Sequence, residues 1–209
     1  MSGSADIYTY GVRAVGSLPR SFDYGLEMAH QGGRYSSDSV YAWAGHWVLG
    51  YTFKDCKWQP RLLMEYNYAS GDASPRDGRH ETFDQLFPTN HNKYGTADVI
   101  GWRNMQNLRA GVEQTLRPGL KLQCDYHSHW LAQLADVLYS DNGAPVTRPG
   151  AGLSSRHVGH EVDLVLLYKI SKQYTFGIGY GHLWAGQFLK DATLGSNVSY
   201  PYTFLTYAF

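Results

Sequence analysis

The chain has 209 residues, of which 43% are hydrophobic and 15% aromatic, and its mean hydropathy is −0.40. Its 18 basic and 18 acidic residues give a formal net charge of zero, which argues against nucleic-acid binding, because nucleic-acid-binding proteins usually carry a basic excess. No stretch approaches the roughly 20 consecutive apolar residues that a membrane-spanning helix requires. The high aromatic content, with 23 Gly and only 17% charged residues, favours strands and turns over helices.

Apolar residues recur at every second position along most of the chain, beginning with DIYTYGVRAV near the N-terminus. In SFDYGLEMAH the apolar positions are Phe22, Tyr24, Leu26 and Met28, and small or charged residues separate them. A period of two residues indicates a β-strand with one apolar face. Similar runs follow at 41–53, 62–68, 108–112, 120–130, 162–168 and 174–184, and in the closing YPYTFLTYAF. This predicts about nine strands of about ten residues, the length that a tilted transmembrane strand needs.

A soluble β-sandwich or a lipocalin-like barrel would alternate in the same way. Two features favour a transmembrane barrel. Aromatic residues lie near both ends of the apolar faces, as two interfacial girdles require. The opposite faces are charged, and in a soluble barrel the many large rings would have to fill the interior instead. The charged positions are Arg13, Asp23, Glu27, Arg61, Glu65, Arg109, Glu113, Lys121, Asp125, Asp163 and Lys169.

The connections between the predicted strands alternate in length, as in outer-membrane barrels. Short links are predicted at SLPR, KDCKWQ (54–59), RPG (117–119) and SKQ (171–173), and the other links are GGRYSSD and the long segments 71–104, 134–157 and 190–199. We therefore expect one antiparallel, up-and-down transmembrane β-barrel domain over residues 1–209, with long outer loops at 71–104 and 134–157. The terminal Phe209 then lies on the periplasmic side and resembles the C-terminal signal that the barrel-assembly machinery recognises.

The alternation of short and long links also fixes the direction of each strand, and it predicts a barrel that extends beyond this chain. If the last strand descends to the periplasm, the first strand, at about residues 6–16, descends as well, whereas a secreted chain should begin with an ascending strand. Single-chain bacterial barrels also have even strand numbers. The start MSGSADIYTYG has no signal-peptide features. We therefore expect the chain to be an N-terminally truncated, C-terminal part of a larger barrel.

The segment 65–112 contains YASGD at the end of a strand, TFDQLFPTNHNKYG in the loop, then Asp98, and GWRNMQNLR before the next strand. In these residues it resembles the alginate-export family of outer-membrane β-barrels, and the resemblance runs more loosely to Phe209. The resemblance implies a barrel of about eighteen strands, of which this chain is the second half. It also implies export or passive passage of acidic polysaccharides and small anions across the outer membrane of Gram-negative bacteria.

The inward charges define the predicted pore lining. Arg13, Arg61, Arg109, Lys121 and Lys169 would provide a positive field, and Glu65, Glu113, Asp125 and Asp163 would form its opposing half. Glu27 is predicted to line the pore as well. The expected partners are membrane lipid and lipopolysaccharide outside, and an acidic polysaccharide or small anionic solute inside. The alternative is a structural or adhesive barrel plugged by charge pairs, which equal numbers of acids and bases serve equally well.

The longest loop offers a candidate constriction at Phe83, Asp84, Asn90 and His91. The loop has enough apolar residues to fold back on itself, and RHETFDQLF could form a short helix. Two interpretations of this loop stay open. It could narrow or cap a pore, or it could be a self-packed surface loop with no gating role.

Three further patterns point away from catalysis and cofactors. DYHSH places Asp125, His127 and His129 on one strand face, where they could share Zn²⁺ or Cu²⁺, but the polar wall of a wet lumen explains them more simply. Ser128 points to the opposite face, so it is not next to either His as a nucleophile. No enzyme activity and no cofactor are expected. Cys56 and Cys124 lie more than two strands apart, and we expect no disulfide between them.

Overall fold

The computed structural model of the chain describes residues 4–88, 93–147, 153 and 155–209. Within these ranges the chain is almost entirely β-structure, with nine strands of at least nine residues, three short strands and one short helix. In chain order the strands are β1 (Ala5–Leu18), β2 (Phe22–Tyr35), β3 (Asp38–Thr52), β4 (Arg61–Ala69), β5 (Arg79–His80), β6 (Met105–Arg117), β7 (Leu120–Leu131), β8 (Leu138–Tyr139), β9 (Pro145–Thr147), β10 (His157–Lys169), β11 (Tyr174–Ala185) and β12 (Val198–Tyr207), and the helix α1 (Gln187–Ala192) lies before β12.

The nine long strands form one antiparallel sheet in which each pairs with the next along the chain, in the order β1-β2-β3-β4-β6-β7-β10-β11-β12. The prediction of an all-β antiparallel fold with about nine strands is confirmed. The short strand β5 adds a parallel pairing to the start of β3, and β8 and β9 form a separate two-stranded sheet. Among the described residues, no pairing joins β1 to β12, so this sheet is open at both edges.

The two ends of the sheet differ in the length of their connections. At one end, the turn end, the links are 19–21, 53–60, 118–119 and 170–173. Arg20 and Ser21 have φ of 62° and 68°, and Gly119 has φ of 79°, as tight turns between antiparallel strands require. The opposite end, the loop end, carries the segments 70–104, 132–156 and 186–197. It also carries the turn at Ser36 and Ser37, which is shorter than the predicted GGRYSSD link because β2 continues to Tyr35.

The two faces of the sheet have opposite chemistry. We call the face that bears Trp43, Leu49 and Leu164 the outer face, and these side chains are 39%, 49% and 45% exposed. The other face, which we call the inner face, bears small and polar side chains such as Ala44, Asn67 and Arg109. Period-two alternation and the strand register keep each side chain on one face. Most of the exposed large apolar side chains of the long strands therefore lie on the outer face, as predicted.

The buried apolar residues form one core on the inner face at the loop end. The side chains of Met105, Leu131, Val158 and Leu183 project from the strands into this core. Loop residues cover them, and Phe188 of α1 is fully buried there. The other core residues are Val40, Ala42, Ala44, Ala69, Phe83, Ile100, Leu138, Ala185 and Leu189. The loops thus fold back over the sheet instead of extending away from it.

The short helix suggested for RHETFDQLF (79–87) is not formed. Arg79 and His80 form β5, which pairs with Ser39 and Val40, and the residues after them are irregular. Pairing with β3 satisfies backbone groups that a helix would have bonded internally. The one helix described is α1, which the sequence did not predict. Within the described residues, no helix is long and apolar enough to cross a membrane.

Candidate functional site

Ionisable and amide side chains form a continuous group across the middle of the inner face. Cross-strand register brings them together, because Glu65 lies opposite Arg109, Arg109 opposite His127, and His127 opposite Glu161. The next inner-face position toward the loop end adds Asn67, Asn107 and His129, and the next position toward the turn end adds Asp125 and Asp163. We call this group the polar belt, and its members are Arg13, Asp23, Glu27, His46, Arg61, Glu65, Asn67, Asn107, Arg109, Glu113, Asp125, His127, His129, Glu161 and Asp163.

Arg109 is the central cation of the belt. Its Nε and Nη2 donate to the two carboxylate oxygens of Asp125, each at 2.9 Å, and Nη1 donates to Glu65 Oε2 at 2.9 Å. The two acids are only 4% and 7% exposed. Gln123 also donates to Asp125, at 2.6 Å. One planar guanidinium thus bridges β4, β6 and β7 and neutralises charge inside the sheet.

The other predicted pore cations have different environments. Arg61 forms a bidentate pair with Asp23, at 2.9 and 2.6 Å, and lies 3.3 Å from Glu113. Arg13 and Glu27 approach to 3.5 Å, with Arg13 largely exposed and Glu27 partly exposed. Lys121 and Lys169 are exposed at the turn end. The three arginines and their acidic neighbours therefore form local pairs along the belt and are not divided into a positive and a negative half.

Two histidines lie next to the central arginine. The rings of His127 and His129 stack at 5.5 Å, and Asn107 Nδ2 lies 3.2 Å from Nδ1 of each. Their Nε2 atoms lie 3.6 Å from Asp163 and 3.5 Å from Glu161, respectively. Among the described residues, no group of three His, Cys, Asp or Glu side chains could hold a metal ion. Ser128 is on the outer face, where its Oγ accepts a hydrogen bond from Trp130.

The segment 93–97 of the long loop lies across the belt and is bonded to β10. Thr96 Oγ1 donates to Asp163 Oδ1 at 2.6 Å, and the Thr96 amide donates to Asp163 Oδ2 at 3.2 Å. The amide of Ala97 donates to Glu161 Oε1 at 2.8 Å. These acids therefore hold the loop against the wall. We call this set of contacts the β10 clasp.

A second clasp attaches the same loop to β2. The fully buried Gln31 donates through Nε2 to the Asp84 carbonyl at 2.7 Å, and its Oε1 accepts from the Asp84 amide at 2.8 Å. The side-chain amide thus makes the two bonds that a neighbouring strand would make. The loop 70–104 is anchored to strands on both sides of the belt.

The two long loops are also bonded to each other. Asp136 accepts hydrogen bonds from the Asp72 amide at 3.0 Å and from Thr82 Oγ1 at 2.5 Å. The Tyr139 hydroxyl donates to the same carboxylate at 3.0 Å. Burial and the nearby Asp136 charge raise the pKa of Tyr139 above its ordinary value, so the phenol remains a donor. Asn104 adds bonds to the backbone of Gln133 and Val137.

The predicted constriction residues are placed differently from one another. Phe83 is buried in the core at the loop end, where its ring lies 5.5 Å from that of Trp102. Asp84 is partly exposed, and its carboxylate lies 3.2 Å from Arg103. Asn90 and His91 lie outside the described residues. Cys56 and Cys124 are both free and exposed.

Two open cavities lie on the inner face, one on each side of Lys93. The first has a volume of about 580 Å³ and lies between the loop, the belt and β12, with Thr96, Arg109 and Tyr202 in its lining. The second, of about 490 Å³, lies beside β1 to β3 and is lined by Arg13 and other residues. The anchored loop therefore leaves space beside the polar belt on both sides.

Sequence reasoning missed several residues of this site. Gln31, Thr96 and Asp136 have no local pattern that distinguishes them, because their partners are distant in sequence. The inner-face rings of Tyr200, Tyr202 and Phe204 on β12 were missed as well. A signal for these rings was available, since the facing strand β11 has Gly177, Gly179 and Gly181 at alternate positions.

The chain was compared with known protein families and with curated proteins. A family model described as alginate export matches residues 1–200. No match to a curated protein was found.

Proposed function

Because the chain belongs to the alginate-export family, a family of outer-membrane transport proteins and not of enzymes, we propose that it forms part of a passive outer-membrane channel. The observation that carries this proposal is the pair of open cavities on both sides of the anchored loop, next to a polar inner face. A sheet whose other face is exposed and apolar is suited to contact with lipid.

The proposed arrangement is a closed barrel of about eighteen strands, to which these nine contribute one wall. Lipid and lipopolysaccharide contact the outer face, and water fills the space along the polar belt. The host is a Gram-negative bacterium, and the solutes are hydrophilic, either anionic or saccharide. The long loop narrows the path, because its segment 93–97 is bonded over the belt.

A structural barrel with a lumen plugged by charge pairs is the second candidate. The pairing of Arg61 and Arg109 with carboxylates favours it, since neither guanidinium is available to draw an anion along the wall. The two proposals differ in one respect that can be measured. A channel conducts ions across a bilayer, and a plugged barrel does not.

Release of the loop provides the test. The double variant Gln31→Leu with Thr96→Val removes side-chain bonds from both clasps while keeping the residues similar in size. The complete barrel with its natural residues, here called the natural protein, is expected to conduct ions when it is reconstituted in planar bilayers. The double variant of the same barrel is expected to conduct more, with more frequent current fluctuations, because a loosened loop moves in the lumen.

Ser37→Ala is the matched control for this experiment. Ser37 lies in the tight turn at the same end of the sheet and contacts neither clasp. The Ser37→Ala variant should have the same conductance as the natural protein. If neither the natural protein nor the double variant conducts after correct assembly, the plugged barrel is the better account.

A further inference from the structure

Three aromatic side chains form a column on the inner face of β12. Tyr200, Tyr202 and Phe204 alternate with outer-face residues, and they pair in register with Gly181, Gly179 and Gly177 of β11. The ring centroids are 5.6 Å apart between the two tyrosines and 6.1 Å apart between Tyr202 and Phe204. We call these three residues the aromatic platform.

The glycines of β11 leave room for two of these rings on the inner face. A Cβ atom at Gly177 would collide with the ring of Phe204, and one at Gly179 would collide with the ring of Tyr202. The planes of these two rings differ by only 14°. Both rings therefore occupy space that a larger residue on β11 would fill, and together with Tyr200 they form an aromatic surface on the inner face.

This surface borders the cavity of about 580 Å³. Across the cavity are the segment that contains Lys93 and Thr96, and the belt residues Arg109, Asp125 and Asp163. Two cations and two carboxylates thus line the cavity, so their formal charges balance. A flat apolar wall opposite hydrogen-bonding groups suits a ligand with an apolar face and polar edges.

A sugar ring has this distribution of groups. Its C–H bonds present an apolar face that packs against an aromatic ring, and its hydroxyl groups point outward to donors and acceptors. The spacing of the rings is comparable to the length of one sugar residue, so neighbouring units of a chain can contact neighbouring rings. The rings carry no charge, so their contact with the C–H face of a sugar does not depend on the charge of the ligand.

We propose that the aromatic platform is a saccharide-binding subsite that recognises sugar rings by their C–H faces and hydroxyl groups, independently of ligand charge. This inference rests on the proposed channel in one respect, namely that the inner face is the path of the solute. The alternative role of the rings is structural, since an aromatic ring packed over a facing glycine also stabilises a strand pair.

The test uses a neutral hexasaccharide of glucose as the probe, and its substitutions keep an apolar side chain opposite the β11 glycines. Tyr202→Leu and Phe204→Leu remove the flat rings but retain apolar bulk. In planar bilayers the hexasaccharide is expected to interrupt the ionic current of the natural protein. Each substitution should shorten these interruptions about fivefold to tenfold, the effect of one aromatic contact of about 1–1.4 kcal/mol.

Phe176→Leu is the matched control. Phe176 is on β11, next to the platform but on the outer face, where it is 39% exposed. Its substitution should leave the interruptions unchanged, and so should Tyr202→Phe, which keeps the ring. Equal interruption times in all variants would overturn the proposal while leaving the channel intact.

Calorimetric titration of the hexasaccharide into the assembled, detergent-solubilised protein gives a result even if no current is measured. The subsite is supported if the two leucine variants bind the hexasaccharide more weakly and the control variants do not. Raising the salt concentration should not weaken binding of this neutral ligand. Absence of binding, or binding only of an acidic oligosaccharide, overturns the proposal. Loss of conductance with retained ring-dependent binding would instead contradict the channel.

Discussion

Arg109 shows how a charge is kept on the inner face at the level of one residue. A buried guanidinium is stable only when its donors are paired, and here three of its nitrogens bond to Glu65 and Asp125. Removal of the cation would leave the buried carboxylates of Glu65 and Asp125 without the guanidinium that pairs with both. The exposed pair of Arg13 and Glu27 lacks this dependence, because water solvates both charges.

We therefore expect Arg109→Met to destabilise the assembled protein by about 3–5 kcal/mol, the cost of breaking a buried ion pair from one side. Arg13→Met, the matched control, should cost less than about 1 kcal/mol, as exposed pairs do. Denaturant unfolding of the reconstituted protein measures both. Equal effects of the two substitutions would contradict the buried network.

The sequence predicts which face these residues occupy, but not their partners. Alternation alone places Arg61, Arg109 and Asp125 on the inner face. The partner of each depends on register, which turns and irregularities set. The irregularity between Thr115 and Arg117 shifts the pairing of β6 with β7, and no local pattern in the sequence indicates it.

At the level of elements, the loop 70–104 derives its conformation from distant residues. Its contacts with Gln31, Asp136 and Asp163 span from 53 to 67 positions of sequence. The length of the loop and its apolar content were predictable, and so was its folding back. The short helix was predicted wrongly because a local pattern cannot reveal that β5 pairs with β3.

One element of this loop should respond to pH. The ring of His80 in β5 stacks on Tyr35 at 4.6 Å, and burial lowers the pKa of His80 below its ordinary value of 6.5, although the Asp72 charge opposes this effect. A detached loop therefore binds the proton more readily than the docked loop. The docked state should lose stability as the pH falls below about 6.5.

Limited proteolysis of the loop can measure this change. Cleavage within residues 70–88 is expected to accelerate as the pH is lowered from about 7.5 to about 5. His80→Phe keeps a ring against Tyr35 but does not titrate, so its cleavage should depend less on pH. An unchanged pH dependence in this variant would assign the effect to another group.

Considered as a whole, the molecule reverses the arrangement of a soluble β-protein. The outer face has aromatic clusters near both ends, with Trp43 stacked on Tyr68 at 4.3 Å toward the loop end and Phe22 next to Tyr51 at 4.7 Å toward the turn end. Aliphatic residues such as Leu164 lie between them. This distribution is the one that the proposed membrane barrel requires, with two interfacial girdles around a hydrocarbon band.

Two leucines on β10 test this arrangement directly. Leu164 is on the outer face, and Leu167 is on the inner face beside the first cavity. Leu164→Arg should destabilise the assembled barrel by about 2–4 kcal/mol if it lies near the bilayer midplane. Leu167→Arg should have a much smaller effect, because the new cation enters a wet, polar space.

Thermal unfolding in lipid vesicles compares the two variants. A soluble barrel would give the opposite order, with Arg accepted at the exposed Leu164 and rejected at the inner position. That order, or equal effects, would contradict contact between the outer face and lipid.

The three-strand contact of Arg109 also has an evolutionary consequence. A substitution that removes the charge at position 65, 109 or 125 upsets the balance of this buried network, so selection should act against chains in which only one of the three has lost its charge. We expect these three positions to change together during divergence of the family. Positions 13 and 27, whose charges are solvated, are expected to change independently of each other.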